Sequence, residues 1–273
     1  MNTAERVVDI LDLLASAGGP SGISDISRQL KIGKNNIFRI LSALEDKGWV
    51  HQDLDTRRYS LTGAVAEVAF RALAQLDIQR VSLPYLRELQ SVTGETSALH
   101  IKVELQRMCI SCVPSSNSIR HMVEVGAGSP LWYGSGGKAI LAFMPEDEIK
   151  AVLDIFAGSG VSELASGQTV TVKWLLEQLD LIRNQGFALA AGERFAGACG
   201  VSAPIFNHTQ NVIGCISVSG PEARFGREKA LDYSGLIVEK ARHISSIMGA
   251  KTETEPDNVE AKAYSAGPQP VRY

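Results

Sequence analysis

The sequence predicts an α+β chain of two domains, a winged helix-turn-helix head followed by a larger domain in which strands and helices interleave. Three observations carry this. Apolar residues recur at helical spacing in three runs separated by glycine-containing breaks before Gly48. A short basic hairpin pattern follows at once, and beyond Thr96 alternating, strand-like runs mix with further helical ones. At 273 residues the chain also exceeds one domain of roughly 100–200 residues. The predicted organisation is 1–64 for the head, 65–80 for a linker helix, 81–249 for the larger domain and 250–273 for a tail without periodicity, predicted to be disordered.

The first helix is marked by Val7, Val8, Ile10, Leu11 and Leu14 and stopped by Gly18-Gly19-Pro20. Ser24 is the expected N-cap of the second, with Ile26 and Leu30 on one face. Lys31-Ile32-Gly33-Lys34 forms a tight break, and a third helix runs from about Asn35 to Lys47, ending at Gly48. Two helices joined by a short turn containing Gly define the helix-turn-helix pattern. Ile37, Leu41 and Leu44 share the inner face of the third helix, which leaves Lys34, Asn35, Asn36, Phe38 and Arg39 near its outward N-terminal side. Trp49 to Gln52 and Arg57 to Leu61 read as two strands around a turn at Asp53 to Thr56, a wing with Arg57 and Arg58 expected at its tip.

The net charge of -3 gives no global sign of a nucleic-acid partner, but the distribution does. Between Ile26 and Leu44 there is no Asp or Glu, while Arg28, Lys31, Lys34 and Arg39 all fall in that window. Asn reads adenine, and Arg or Lys reads guanine or grips phosphate, when the second helix of such a pair enters the major groove. Double-stranded DNA is therefore the expected macromolecular partner, contacted by Ser24, Lys34, Asn35, Asn36, Phe38, Arg39, Arg57 and Arg58.

In the larger domain a helical pattern from Val65 to Leu89 is expected to be interrupted at Pro84. Strands are expected at Thr96 to Val103, Arg107 to Val113, Met122 to Val125, near Ala188 and Val201, and at Val212 to Ser219. Helices are expected near Lys138 and Val172, with a last one from Arg227 to Met248. The loop Gly134-Ser135-Gly136-Gly137-Lys138 looks suited to an anion, because small residues opening a helix leave backbone N–H groups accessible. It fails the nucleotide P-loop, having Trp132 and Ala139 where Gly and Ser or Thr are required. It fails the hydrolase elbow because Tyr133 stands where Gly is needed. Ser135 to Lys138 matches S-x-x-K, yet neither S-D-N nor K-T-G follows. Binding rather than catalysis is expected there. Leu131, Trp132 and Tyr133 read either as pocket lining or as core, and Ser217 and Ser219 share one strand face, where the competing reading is solvent exposure.

Cys109 and Cys112 form a C-x-x-C pair on a predicted strand, where residues three apart point to opposite faces, and no second pair completes a tetrahedral site. They are expected to be buried, inert thiols. His51, His100, His121, His208 and His243 lack ligand spacing, so neither metal nor cofactor is expected. No stretch approaches about 18 apolar residues and no leader pattern opens the chain, so a cytoplasmic, membrane-free protein is the expectation.

Arg6 to Leu11, Ser24 to Ser27, Gly33 to Leu41, Gly94-Glu95-Thr96, Gly136 to Ala142 and Ser217 to Pro221, in that order, resemble the IclR family of transcriptional regulators over nearly the whole chain except the tail. The resemblance implies a GAF-like α/β effector-binding domain with the ligand in a pocket over the sheet. It also implies a homodimer or dimer of dimers and regulation of carbon-source genes, with an organic or aromatic acid as the frequent effector. Carried over residue by residue, the effector pocket comprises Ser135, Gly136, Ala190, Cys199, Gly200, Ser217 and Ser219, to which the residue reading adds Leu131 and Tyr133. The family commonly has a polar side chain at the position of Ala190 and Cys at that of Gly200. This chain departs at both, which points to a larger or less polar ligand. Glu193 matches an acidic position typical of the family. Two competing readings are a hydrolase using Ser135 and Lys138 behind a DNA-binding head, and a constitutive DNA-binding dimer without an effector.

Overall fold

The computed structural model describes residues 2–161 and 163–251, without the side chains of 72–75, and divides between Leu76 and Asp77 into two compact units. The predicted disorder of the tail falls almost wholly outside the described residues.

The first unit opens with α1 (Thr3–Ser16), whose N-terminus is closed by reciprocal bonds between Asn2 and Glu5. Helices α2 (Ile23–Leu30) and α3 (Lys34–Asp46) follow, then β1 (Val50–Gln52), β2 (Tyr59–Leu61) and α4 (Gly63–Gln75). Ile10, Leu13 and Leu14 of α1 pack with Ile26, Ile37, Leu41, Leu44, Val50 and Tyr59 in one small core. The turn between α2 and α3 is tight because Lys31 adopts the left-handed conformation, buried Ile32 plugs the core, and Gly33 caps α3. Strands β1 and β2 pair antiparallel, and Ser21 adds a bridge to Tyr59, so the wing is rooted in the α1–α2 connection.

The second unit contains α5 (Ile78–Thr93), β3 (Thr96–Val103), β4 (Gln106–Val113), β5 (Gly128–Pro130), α6 (Ser135–Leu141), α7 (Glu146–Gly158), α8 (Val172–Gln185), β6 (Ala188–Ala191), β7 (Ala198–Phe206), β8 (Val212–Pro221), α9 (Arg227–Asp232) and α10 (Ser234–Ile247). The six strands form one antiparallel sheet in the order β5-β4-β3-β8-β7-β6. Its faces are distinguished by alternation. Leu99, Val201, Ala203, Ile205, Ile216 and Val218 point one way and pack with Leu86 and Leu89 of α5 and Ile237 and Ile244 of α10. The other face meets α6, whose Ile140 and Leu141 join α7 and α8 in a second core with Leu175, Leu179 and Ile182.

Several sequence expectations are corrected. The helical run from Val65 to Leu89 breaks at Leu76 and Asp77, where the Asp77 carboxylate accepts from the Gln79 and Arg80 N–H groups. Pro84 lies inside α5 and removes one backbone donor without ending the helix. Ser24 is not an N-cap; Gly22 holds that position, and Ser24 is exposed in the first turn of α2. Met122 to Val125 is irregular, and the edge strand is β5 instead. The helix α7, opened by Pro145 and three acidic residues in its first turn, was not anticipated. The last helical run is broken at Tyr233 into α9 and α10.

A further correction concerns Cys109 and Cys112. The β3–β4 register slips by one residue at Ile110, so that Cys109 stands opposite His100 and Cys112 opposite Ala98. His100 and Ala98 share a face of β3, and the two cysteines therefore share a face of β4. Cys109 is buried and Cys112 only half-buried, and both are free thiols. Burial pushes the Cys109 thiol up to about 11 and Cys215 up to about 12, so both stay protonated at neutral pH.

Candidate functional site

The outward face of α3 presents Lys34, Asn35, Asn36, Phe38 and Arg39 to solvent, with Phe38 55% exposed, because Ile37, Ile40, Leu41 and Leu44 take the inward positions. Lys34 and Arg39 have no ion-pair partner among the described residues. Arg28 differs, being paired with Asp25 at 2.7 Å. The two wing arginines also part company. Arg57 is exposed in a left-handed turn conformation set by Asp53, whose carboxylate accepts from the Thr56 N–H and hydroxyl. Arg58 instead donates to the Pro20 carbonyl at 3.1 Å and lies 3.6 Å from Asp25. It braces the wing root rather than standing at the tip, which corrects the expectation for that residue.

In the second unit a cavity of about 220 Å³ lies on the α6 side of the sheet. Alternation aims Arg107 and Cys109 of β4, His100 of β3, Ser217 and Ser219 of β8, Gly200 of β7 and Ala190 of β6 into it. Ser135 and Gly136 line it from α6, and Cys199 also borders it. Leu131 and Tyr133 do not line it. Leu131 is fully buried in the α6–α8 core and Tyr133 packs against the same core, because the chain turns inward between β5 and α6. Ser217 is 5% exposed, which removes solvent exposure as its explanation.

Sequence reasoning missed the groups that give this cavity its electrostatics. Arg107 is 8% exposed, donates from Nη1 to His100 Nδ1 at 3.0 Å, and keeps a buried Nε without an acceptor. No carboxylate of the described residues pairs with it. Because His100 Nδ1 accepts, its proton sits on Nε2, 3.2 Å from Ser217 Oγ, and the Ser217 hydroxyl donates onward to the Ala98 carbonyl at 3.3 Å. Burial first, then the neighbouring Arg107, holds the His100 pKa well below the usual histidine value of 6.5. His100 is therefore neutral. The alternation that aims both groups inward was legible; the neutral tautomer depends on a pairing with Arg107 that no local pattern reveals.

The walls are fixed by two ion pairs, one buried and one between a buried carboxylate and a half-buried arginine. Lys138, wholly buried, donates to Glu193 Oε1 at 2.5 Å, to Gln178 Oε1 at 3.2 Å and to the Leu189 carbonyl at 3.3 Å. The other Glu193 oxygen accepts from the Gly134 N–H at 2.8 Å, which ties the loop before α6 to the loop after β6. Lys138 has no hydrogen bond to Ser135, whose Oγ instead accepts from Ser202 at 2.8 Å. Glu95, 1% exposed, is held by Arg224 through two bonds of 2.5 and 2.8 Å, and Arg224 also donates to the Ile119 carbonyl. Gly220 makes that pair possible, since a Cβ there would sit 2.6 Å from the Glu95 carboxylate. Thr96 donates to the His121 carbonyl at 2.9 Å, so the Gly94-Glu95-Thr96 segment pins the irregular rim of the cavity.

A three-helix head whose third helix carries unpaired cations and amides, followed by a rooted wing, is the apparatus of a DNA-binding regulator of transcription. Comparison with known proteins agrees. The profile described as the IclR helix-turn-helix domain matches residues 3–54, and that for the bacterial transcriptional regulator IclR C-terminal region matches residues 70–246. The chain is similar to the HTH-type transcriptional regulator KdgR of Escherichia coli K12, 29% identical over 252 residues covering 91% of this chain and 94% of that protein. It is 27% identical to the transcriptional repressor AllR of the same organism, covering 90% of each chain. Among solved structures, an IclR transcriptional regulator from Silicibacter sp. TM1040 aligns with a TM-score of 0.77 at 25% identity, covering 92% of this chain and 97% of that one. Pseudomonas aeruginosa HmgR aligns with a TM-score of 0.74 at 25% identity, covering 92% and 99%. The chain belongs to the IclR family of transcriptional regulators, and it is a regulator rather than an enzyme.

Two outcomes are expected. Arg39→Ala should weaken DNA binding by about 1–3 kcal/mol with relaxed sequence preference if it reads a base, whereas Arg57→Ala should lower the salt slope by about one phosphate contact; fluorescence anisotropy across a salt series separates them. The second concerns pH. A folded-state histidine pKa below 6.5 means that the unfolded chain binds more protons as pH falls through 6.5, so stability is full above that value and declines below it. His100 should contribute a slope of up to about 1.4 kcal/mol per pH unit in that range, and urea titrations should show that component missing from His100→Gln. An unchanged slope would mean that His100 is not held neutral.

Proposed function

We propose that this regulator binds a paired DNA operator as a homodimer or dimer of dimers, and that a small organic acid in the 220 Å³ cavity controls its operator affinity. The observation that carries the reading is the cavity itself. A sheet covered on both faces has no need of buried serines, a neutral histidine and an arginine without a carboxylate partner, and a domain that only dimerised would fill this space with apolar side chains. The arginine makes the cavity receptive to an anion, and the absence of a side chain at Gly200 enlarges it. A Cβ there would meet Ser135 Oγ at 3.0 Å.

Exposed Val68 and Phe70 on α4 and Val8 on α1 support self-association of the first unit. Such pairing would set two α3 helices about 34–36 Å apart, one turn of DNA. The ligand acts by preferring one arrangement of the paired heads, and it shifts operator affinity only by its differential binding to the two. Repression is the favoured outcome, by analogy with the relative whose name describes it as a repressor.

The test is anisotropy with DNA flanking the protein's own gene, at fixed salt, against a panel of aliphatic and aromatic acids. Selective binding that one acid alters supports the reading. Selective binding that no acid alters, together with no ligand-induced thermal shift, would leave a constitutive DNA-binding protein.

A further inference from the structure

We propose that Arg107, oriented by His100, is the anion anchor of the cavity, and that the ligand is a short amphiphilic monocarboxylate lying along the strands with its acid at Arg107 and its apolar body beneath Met122 and Phe195. The inference rests on the effector reading and specifies the chemistry and direction of the ligand.

The anchor follows from charge accounting inside the cavity. An arginine does not give up its proton, so a guanidinium 8% exposed stays charged. Its Nη1 faces a neutral ring nitrogen at 3.0 Å and its Nε meets no acceptor. Two carboxylates border the cavity, as does a second arginine, Arg194, which is exposed at the rim. Glu193 is consumed by Lys138 and the Gly134 N–H, and Glu124 is exposed without an ion pair among the described residues. The charge is thus unanswered by the protein, at a position where a planar fork suits a carboxylate. His100 cannot bind the anion as a cation. It fixes the fork, with its own orientation set through Ser217.

Direction follows from the register. His100 stands opposite Cys215 and Thr96 opposite Ser219, so the floor from the Arg107 end to the Ser219 end spans four residues, about 13 Å at the usual strand rise. At the far end the rim carries Met122, 70% exposed, and Phe195, 49% exposed, the latter in ring contact with His121 at 5.6 Å and covered at 5.0 Å by the exposed guanidinium of Arg194. Arg194 is exposed to solvent and laid against the Phe195 ring, so it attracts an anion far less than the buried Arg107, and the apolar groups at the mouth match a ligand with an acid at one end and a hydrocarbon or aryl group at the other. A volume of about 220 Å³ lies below the roughly 300–1,000 Å³ of drug-sized sites, which limits the ligand to metabolite size.

Calorimetry on the full chain with phenylbutanoate, its amide and glutarate, alongside unliganded melting of each variant, tests this. Phenylbutanoate should bind, with the amide and glutarate weaker by about 30-fold or more, and Arg107→Met should lose the acid by a similar factor. Unliganded melting should show Arg107→Met folded, because losing the bond to His100 Nδ1 is offset by removing a buried charge that nothing neutralises. Arg107→Lys, which keeps the charge but lacks the fork, should bind the acid between the two. Equal binding of acid and amide, tighter binding of glutarate, no binding of phenylbutanoate up to millimolar concentration, or undiminished acid binding by folded Arg107→Met would overturn the proposal. An acid that binds through Arg107 but leaves DNA binding unchanged would sink the regulatory reading alone, whereas operator release by acid surviving in Arg107→Met would sink the anchor alone.

Discussion

The buried pair between Lys138 and Glu193 is the interaction on which the second unit turns. A lysine wholly removed from solvent requires three acceptors, and it finds them on α8, on β6 and on the loop that follows β6. Glu193 spends its second oxygen on the Gly134 N–H, so one carboxylate fixes both lips of the loops above the sheet. Removing either partner would strand the other in a dry site, at a cost on the order of 3–5 kcal/mol. The same pairing has an indirect result. With Glu193 committed to Lys138, no carboxylate of the described residues answers Arg107, and the cavity keeps a positive charge.

The sheet then serves two purposes through a period of two. Ile216 and Val218 bind β8 to α5 and α10, while Cys215, Ser217 and Ser219 face α6 and the cavity. On β3 the same division sets Leu99 against His100. Buried polar groups on the cavity side, Arg107 Nε excepted, are joined in a chain that runs from Arg107 through His100 and Ser217 to the Ala98 carbonyl, with a second link between Ser202 and Ser135. Such networks fix rotamers that an apolar wall would leave free to slip. Glycine completes the arrangement where backbone approaches backbone. At Gly137 a Cβ would stand 2.8 Å from the Leu131 carbonyl, so α6 can close on the turn before it only without a side chain there.

Much of this was legible in the chain. The apolar repeat of α3 gave its inner and outer faces, and β3 was anticipated at Thr96 to Val103, the bounds it adopts. Seven of the pocket positions carried over by family resemblance line the cavity, from Ser135 to Ser219. What escaped were features set by distant partners. Arg107 reads as an ordinary charge on a strand until the Glu193–Lys138 pair is known. A one-residue bulge at Ile110 reverses the facing of Cys112, and no local pattern announces it. Pro84 misled because tertiary packing of Leu86 and Leu89 carries α5 past a missing bond. Arg58 looked equivalent to Arg57, but the Ser21 bridge places Pro20 and Asp25 within its reach. The signals for α7, a proline and three acids ahead of an apolar repeat, were present and went unread.

The central claim is that the cavity and the DNA-contacting head share one equilibrium. Thermodynamic linkage makes this directly measurable, because the factor by which an acid changes operator affinity must equal the factor by which operator DNA changes affinity for that acid. Calorimetric titration of phenylbutanoate into free and operator-bound protein, set beside operator titrations with and without it, gives both factors. The account predicts two equal factors, both different from one. An acid that occupies the cavity with the same affinity whether or not operator is bound would contradict it.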